Sequence, residues 1–491
     1  MRDELTYDAV IIGSGAGGSA AAWRLARAGL EVAIVETGDE LPGDASTLDV
    51  ATVVHEGRFR SREAWRDRRG GVLVPEEYFN VGGKTRWYGA ALLRYSPAEF
   101  APDPAHQCRG WPIACEDLRP YYEEAEARLG VRPFECEPAL AHIVRQLAPG
   151  GWLHAPLPMG LDPGILDHTV EARHFDGFAS VAGLKGDAER AFLAPLRRMP
   201  NFTLFTREAV VELLADEARP TQVVGVRTAT GRLVRGRHVL LAAGALHTPR
   251  LVQRYLRQHG LDRTLPAAAH VGRNLKLHLL TAVVGLAPSR MDDLLRKTTL
   301  LTHPDLPHSS VQPLGFDGEL IATLMPSLLP RAIARRLGAR AYGFFLQTED
   351  GSHPDNRVDA GTHDAPPVLD YDDTRVEPAR REHRALVRSF RRALLRAGML
   401  AFSKRIGLAG TAHACGTMIA GTDPGDSVVG PDGAMHGVEG LYVVDGSVLP
   451  RSSRVNPSLS IYGWSLRVAD RLAAQCLHTR QGAPEPAQAT A

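Results

Sequence analysis

The sequence predicts an α/β protein: a Rossmann-like dinucleotide-binding domain joined to a discontinuous α+β domain. Three observations predict it. A strand, a glycine-rich turn, a helix, a second strand and an acidic residue follow one another without interruption over residues 7–36. The chain has 491 residues, more than one compact core usually spans, so two domains are expected. A block from about 291 to 407 carries no nucleotide motif and is the candidate substrate domain.

Residues 7–12 (YDAVII) are apolar at most positions, the pattern of a buried strand. Gly13, Gly15 and Gly18 follow at the spacing of a dinucleotide-binding fingerprint, with Ala16 at the entry to a helix that continues through 20–28. Gly13 permits the tight turn, Gly15 lets backbone approach a pyrophosphate, and Gly18 lets helix pack on strand. Free N–H groups and the dipole at the helix start favour the phosphates. The second strand, 31–35, ends in Glu36, where a carboxylate accepts from a ribose hydroxyl. This motif leaves NAD and FAD both open.

A second glycine-rich stretch covers 80–94, with Gly82 and Gly83 ahead of Thr85. It is either another place for backbone to meet a diphosphate or ring edge, or a plain surface loop. Residues 108–130 place Trp-Pro before a helix that opens with acids, read as a cover over the cofactor. A helix falls within 181–198. Stretches 202–213 and 223–232 read as strands of a small sheet beside the nucleotide fold, and 239–243 as a buried strand. Further on come a strand at 341–348, turn chemistry at 351–357, a strand at 367–371 and an amphipathic helix at 377–397. Paired arginines along that helix mark a half-solvated scaffold. Near the C-terminus stand HACGT (413–417), VVDGSVLP (443–450) and VNPSLSIYGWSLRVAD (455–470). After Asn456-Pro457 the periodicity becomes helical, and proline suits a first helical turn. Residues 480–491 read as a disordered tail.

Composition excludes several classes. Net charge is +1 with 23% charged residues, so there is no electrostatic case for nucleic acid or an anionic membrane. The five cysteines form no CxxC pair, which argues against a disulfide framework or a zinc site, and no metal is expected. No apolar run reaches the ~20 residues that span a bilayer. The start of the chain runs from polar residues straight into a strand, so a cytoplasmic protein is expected.

GGKTRWYGAALLR (82–94) resembles the first signature of the glucose–methanol–choline (GMC) flavin oxidoreductases: Gly82, Gly83, Thr85, Gly89 and Arg94 fall in step with it. Residues 244–251 (GALHTPRL) resemble the mid-chain signature, and 271–275 (VGRNL) and 176–178 (DGF) other landmarks. HACGT and the segment from Asn456 match the C-terminal block, so the landmarks run in order from residue 8 to residue 470. The resemblance implies FAD and an antiparallel sheet in the substrate domain. It assigns 1–115, 175–290 and 408–479 to FAD binding, and 116–174 and 291–407 to the cover and substrate domain. It also places Val210 against the adenine, Tyr88 near the flavin, Asp445 and Gly446 at the ribityl or diphosphate, and Pro457 and Ser458 at the pyrimidine edge.

On the residues alone, Asn456 reads as a cap or turn residue and His413 as a structural histidine. With the resemblance, His413 and Asn456 occupy the two active-site positions of an alcohol oxidation. Histidine titrates near working pH and suits proton abstraction. Asparagine orients the hydroxyl without competing for its proton. The hydride passes to flavin N5. Tyr88 stands where the family carries asparagine, and Arg86, Trp87 and Tyr88 supply no histidine for covalent attachment, so non-covalent FAD is expected. The variant signature is similar to that of a bacterial branch oxidising sugar and aminoglycoside hydroxyls. Gln347 and Glu349, on one face of a strand at period two, are candidate contacts for such a substrate, or a solvated strand edge. The electron acceptor is oxygen or a carrier. A non-sugar alcohol, a flavin-containing lyase of the same fold, and a non-enzymatic flavin binder stand as alternatives. No GxSxG elbow accompanies the serines near 447–453 that a hydrolase would need.

Overall fold

A computed structural model describes residues 5–325, 329–362 and 365–482. In chain order the elements that frame the site begin with β1 (Leu5–Ile12), α1 (Ala16–Arg27), β2 (Val32–Val35), α2 (Cys115–Leu129) and β3 (Leu153–Pro156). Next come β4 (Phe202–Phe205), β5 (Val210–Ala215), β6 (Val223–Thr228) and β7 (Leu233–Leu241). They are followed by β8 (Leu279–Leu286), β9 (Thr299–Thr302), β10 (Ser309–Pro313) and β11 (Ala341–Thr348). The last are α3 (Glu377–Arg396), β12 (Leu400–Arg405), β13 (Leu441–Val443) and α4 (Ser458–Gly482).

A seven-stranded sheet has the order β4-β2-β1-β7-β6-β5, with β13 beside the C-terminal half of β7. Strands β4, β2, β1, β7 and β13 run parallel, whereas β5 and β6 join antiparallel. Val10, Ile11, Val32, Ile34, Val239 and Leu241 are fully buried, as strands covered on both faces must be. The strands expected in a small separate sheet are therefore members of this one. β4 hydrogen-bonds in parallel to β2, and the β5–β6 hairpin extends β7.

The second sheet, of six strands, is antiparallel throughout, in the order β12-β8-β11-β10-β9-β3. β8 lies inside the 175–290 stretch that the sequence assigns to FAD binding. α3 crosses this sheet and buries Leu386, Phe390 and Leu394 in a core shared with Trp152 and Phe344, while its arginines face outward, as the periodicity predicts.

α2 is not a cover. Its buried stripe of Leu118, Tyr122, Ala125 and Leu129 packs on α4, where Tyr122 bonds Ser460 at 2.7 Å and Tyr121 donates to Asp470 at 2.9 Å. Midway along the helix, Glu124 also reaches α1, accepting from Arg24 at 2.8 Å. An amphipathic pattern fixes which face is covered but not what covers it. Of the expected tail, residues up to 482 close α4, and 483–491 lie outside the described residues. No described helix is long and apolar enough to cross a membrane.

Candidate active site

The carboxyl ends of β1, β7 and β13 open on a cavity of about 670 Å³, the position where open parallel sheets take ligands. From the first segment Gly13, Gly15, Ala16 and Glu36 line it. Gly13 has φ +99°, a turn only glycine makes readily. Gly15 has open space where a Cβ would stand, on the cavity side, whereas a Cβ on Gly17 would lie 1.9 Å from the Val444 carbonyl oxygen. The helix entry is thus packed tight behind and open in front, and that space fits a pyrophosphate at a helix N-terminus. Glu36 accepts from Ser14 N at 2.9 Å, Ser14 Oγ at 2.6 Å and Gly38 N at 2.8 Å. Burial pushes its carboxyl above the ordinary range, against the pull of those bonds. Val210 lines the same end.

The second glycine-rich stretch is not a plain surface loop. Gly82 N donates to Ser14 Oγ at 3.0 Å, so this loop rests on the first one. Thr85 donates to the Gly82 carbonyl at 2.6 Å and accepts from Ala188 N at 3.0 Å. Gly83, Thr85, Tyr88 and Gly89 line the cavity; Gly18 and Gly82 stand behind its wall. The Tyr88 hydroxyl is taken up by the Gly186 carbonyl. Glu77 ties this loop to the His413 loop, accepting from Lys84 Nζ at 2.5 Å and from Thr411 Oγ1 at 2.8 Å.

The C-terminal segment completes the wall with Asp445, Gly446, Pro457 and Ser458. Asp445 accepts from Gly244 N at 2.8 Å and Ser447 N at 2.9 Å, so it also caps its strand end. His413 and Asn456, 43 residues apart, meet here: Asn456 Nδ2 lies 3.4 Å from His413 Nε2. Gln312 Nε2 donates to Asn456 Oδ1 at 2.6 Å. The other ring nitrogen of His413, Nδ1, lies 3.1 Å from Nδ1 of His278. Burial, with His278, Lys297 and Lys84 nearby, holds the His413 imidazole well below its ordinary pKa, which keeps it neutral and available as a base.

Sequence reasoning missed three of these residues. Lys297 pairs with Asp176 at 3.0 Å in the cavity wall, yet it sits in a stretch of weak periodicity. Gln312 and His278 carried no motif of their own. Gln347 and Glu349 are not among the lining residues. Gln347 is buried and donates to the Arg454 carbonyl at 2.7 Å. Glu349 takes both prongs of Arg451, at 2.8 and 2.5 Å, and His308 Nδ1 at 3.1 Å. Burial would raise its carboxyl, but the bonds from Arg451 and His308 hold it well below the usual range. His308 also groups with His106 and Glu382, and with Cys108 and Glu349, closely enough to resemble metal ligands. Arg451 already neutralises Glu349, and His106 Nε2 bonds the Glu349 carbonyl at 2.9 Å.

Comparison with known proteins follows the same lines. Residues 81–280 and 353–465 match the two GMC oxidoreductase models, and 11–63 match the NAD(P)-binding Rossmann-like domain. The chain is 31% identical to 6'''-hydroxyparomomycin C oxidase of Streptomyces lividus, over 95% of this chain and 91% of that protein. It is equally 31% identical to paromamine 6'-oxidase of Streptomyces fradiae, over 96% and 92%. Among solved structures, pyridoxine 4-oxidase from Mesorbium loti superposes with a TM-score of 0.67 at 18% identity, covering 96% of this chain and 99% of that one. Formate oxidase of Aspergillus oryzae RIB40 gives 0.69 at 16% identity, covering 97% and 100%.

Proposed function

The chain belongs to the GMC oxidoreductase family, and from that premise we propose that it oxidises a CH–OH group of a sugar-like, aminoglycoside-type substrate to a carbonyl. The observation that carries the reading is the meeting of His413 Nε2 and Asn456 Nδ2 in the wall of a cavity that the two glycine-rich loops also line. The relatives named as aminoglycoside oxidases support the substrate class. FAD bound along the cavity would accept the hydride from the substrate carbon.

The protein's own contribution is positional. Gly15 and the start of α1 would hold the pyrophosphate, Glu36 the ribose and Val210 the adenine end, with the 83–89 loop and Asp445–Ser458 along the rest. His413 Nε2 takes the hydroxyl proton, while Asn456 Nδ2–H donates to the same oxygen and steadies the negative charge that develops on it. Division into an FAD-binding and a substrate unit is proposed along the two sheets, which meet at this cavity through Leu280, Leu314 and Phe345 on the substrate side.

Two measurements test the reading. Anaerobic mixing with simple alcohols, choline, hexoses and aminoglycosides should bleach the flavin with the amino sugars and not with choline. Readmitting air should restore the colour, since oxygen is proposed as the acceptor on the strength of the oxidase relatives. A panel without bleaching, with FAD bound, would favour the lyase alternative. Non-covalent attachment is proposed because the 86–88 segment offers no nucleophilic histidine; acid precipitation should leave the flavin in the supernatant. The cytoplasm is the proposed location, supported by five cysteines that all remain free thiols.

A further inference from the structure

His278 sits in none of the family landmarks described above and stands behind the lining of the cavity, yet its ring lies directly against His413. We propose that His278 is a positioning residue for His413: it fixes the tautomer in which Nδ1 of His413 carries the proton and Nε2 presents its lone pair to the substrate hydroxyl. The inference rests on the oxidation reading only for what that lone pair does.

The assignment follows from donors and acceptors read from either end of one chain of bonds. At one end, His278 Nε2 lies 2.6 Å from the Ser453 carbonyl oxygen. A carbonyl only accepts, so this nitrogen carries a proton. In a neutral imidazole the other nitrogen, Nδ1, is then bare and must accept. His413 Nδ1, 3.1 Å away, is therefore the donor, and His413 Nε2 is left bare. At the other end, Gln312 Nε2 donates to Asn456 Oδ1 at 2.6 Å, which turns the Asn456 amide nitrogen towards His413 Nε2 at 3.4 Å. An amide N–H only donates, so Nε2 again must be bare. The two ends agree.

The alternative would make His278 doubly protonated and a donor to His413, which would move the His413 proton to Nε2 and abolish the base. Burial disfavours that cation: His278 is 4% exposed, and its imidazole is held below its ordinary pKa by desolvation despite the Ser453 carbonyl.

The backbone is committed to this contact. His278 has φ +57° and Ser453 φ +67°, left-handed conformations that are unusual for residues with a side chain and that cluster where function requires them. Both partners of the 2.6 Å bond are thus held in strained positions by their surroundings. On the His278 side, Leu277 N is anchored to Asp350 at 3.0 Å. On the Ser453 side, Ser453 N donates to Glu349 at 3.1 Å and its hydroxyl to Glu99. Glu349, one of the sequence's two candidate substrate contacts, acts here through Ser453.

The direct test is the tautomer. In 15N-histidine-labelled, flavin-loaded protein, the resonances lost on His413→Ala substitution belong to His413. A protonated Nδ1 and a pyridine-like Nε2 are expected; the opposite pattern overturns the proposal. This reading needs no turnover, so it stands or falls separately from the oxidation itself. In kinetics, His278→Phe keeps the ring's bulk but removes the acceptor, and should slow flavin reduction about 100-fold or more with substrate affinity little changed, by the precedent of wrong-tautomer variants elsewhere. His278→Gln can place an oxygen on His413 and an N–H on Ser453, and should recover most of the rate. A His278→Phe protein as fast as wild type, or a flavin-loaded His278→Gln protein as slow as His278→Phe, contradicts the lock. Where His278→Phe does not take up flavin, the tautomer measurement on the unsubstituted protein decides.

Discussion

His413→Ala is expected to slow flavin reduction by about 10²–10⁴-fold, the usual contribution of a positioned general base, with FAD still bound. The residues proposed to hold the flavin are others: Glu36 on its own serine and glycine donors, Gly15 with open space beside it, Thr85 between Gly82 and Ala188. Rapid anaerobic mixing would separate the two effects, since substrate binding should change much less than the rate of bleaching. The pH profile carries a second check. The base works in its neutral form, and the His413 pKa lies well below 6.5 because of burial and the neighbouring His278, Lys297 and Lys84. Falling pH should therefore leave kcat/KM intact through 6.5 and reduce it only lower. An acid limb centred at 6.5 or above would mean that the imidazole is solvated in the working enzyme, or that another group is the base.

Arg451→Met should destabilise the protein by about 3–5 kcal/mol, the cost of leaving one partner of a buried ion pair alone. Arg451 is 3% exposed and Glu349 1%, and their two prongs are at 2.8 and 2.5 Å. Replacing both residues by apolar ones of similar volume should restore much of the loss, because the unpaired charge goes with its partner. The thermal midpoint of the flavin-loaded proteins would show the ordering. Glu349 also supplies a pH dependence. Its folded pKa is depressed from 4.5, so its contribution is complete above that value and is lost as the pH falls below it. The double variant should lack this acid sensitivity. Equal midpoints for Arg451→Met and the unsubstituted protein would show that solvent reaches the pair.

What the sequence made legible was local. The succession of β1, the glycine turn, α1, β2 and Glu36 lies within one short stretch, and each residue type there has a single physical purpose. The strand at 341–348 and the amphipathic helix were readable for the same reason. What failed depended on a distant partner. Period-two alternation put Gln347 and Glu349 on one face, but the covering residue, Arg451, lies 102 positions away. α2 was correctly read as a helix and wrongly read as a lid, because its stripe matches α4, beyond residue 458. His278 gave no signal at all: its role comes from a backbone carbonyl 175 residues further on, and a carbonyl has no letter in the sequence. His413 and Asn456 were found through resemblance; on spacing alone they remained a histidine and a cap.

The tight face of the glycine turn carries a consequence for biosynthesis. Gly17 packs against the Val444 carbonyl, and its own carbonyl accepts from Ser465 Oγ, while β13 supplies the seventh strand from Leu441–Val443. α1 therefore meets one of its lasting neighbours only after a long stretch of further chain has been made, since Ser465 lies 448 residues beyond Gly17. Translation runs from the N-terminus, but the nucleotide fold closes from the C-terminus. Until α4 is made, α1 has β1, β2 and the 189–193 segment to rest on but lacks the helix that covers its remaining face.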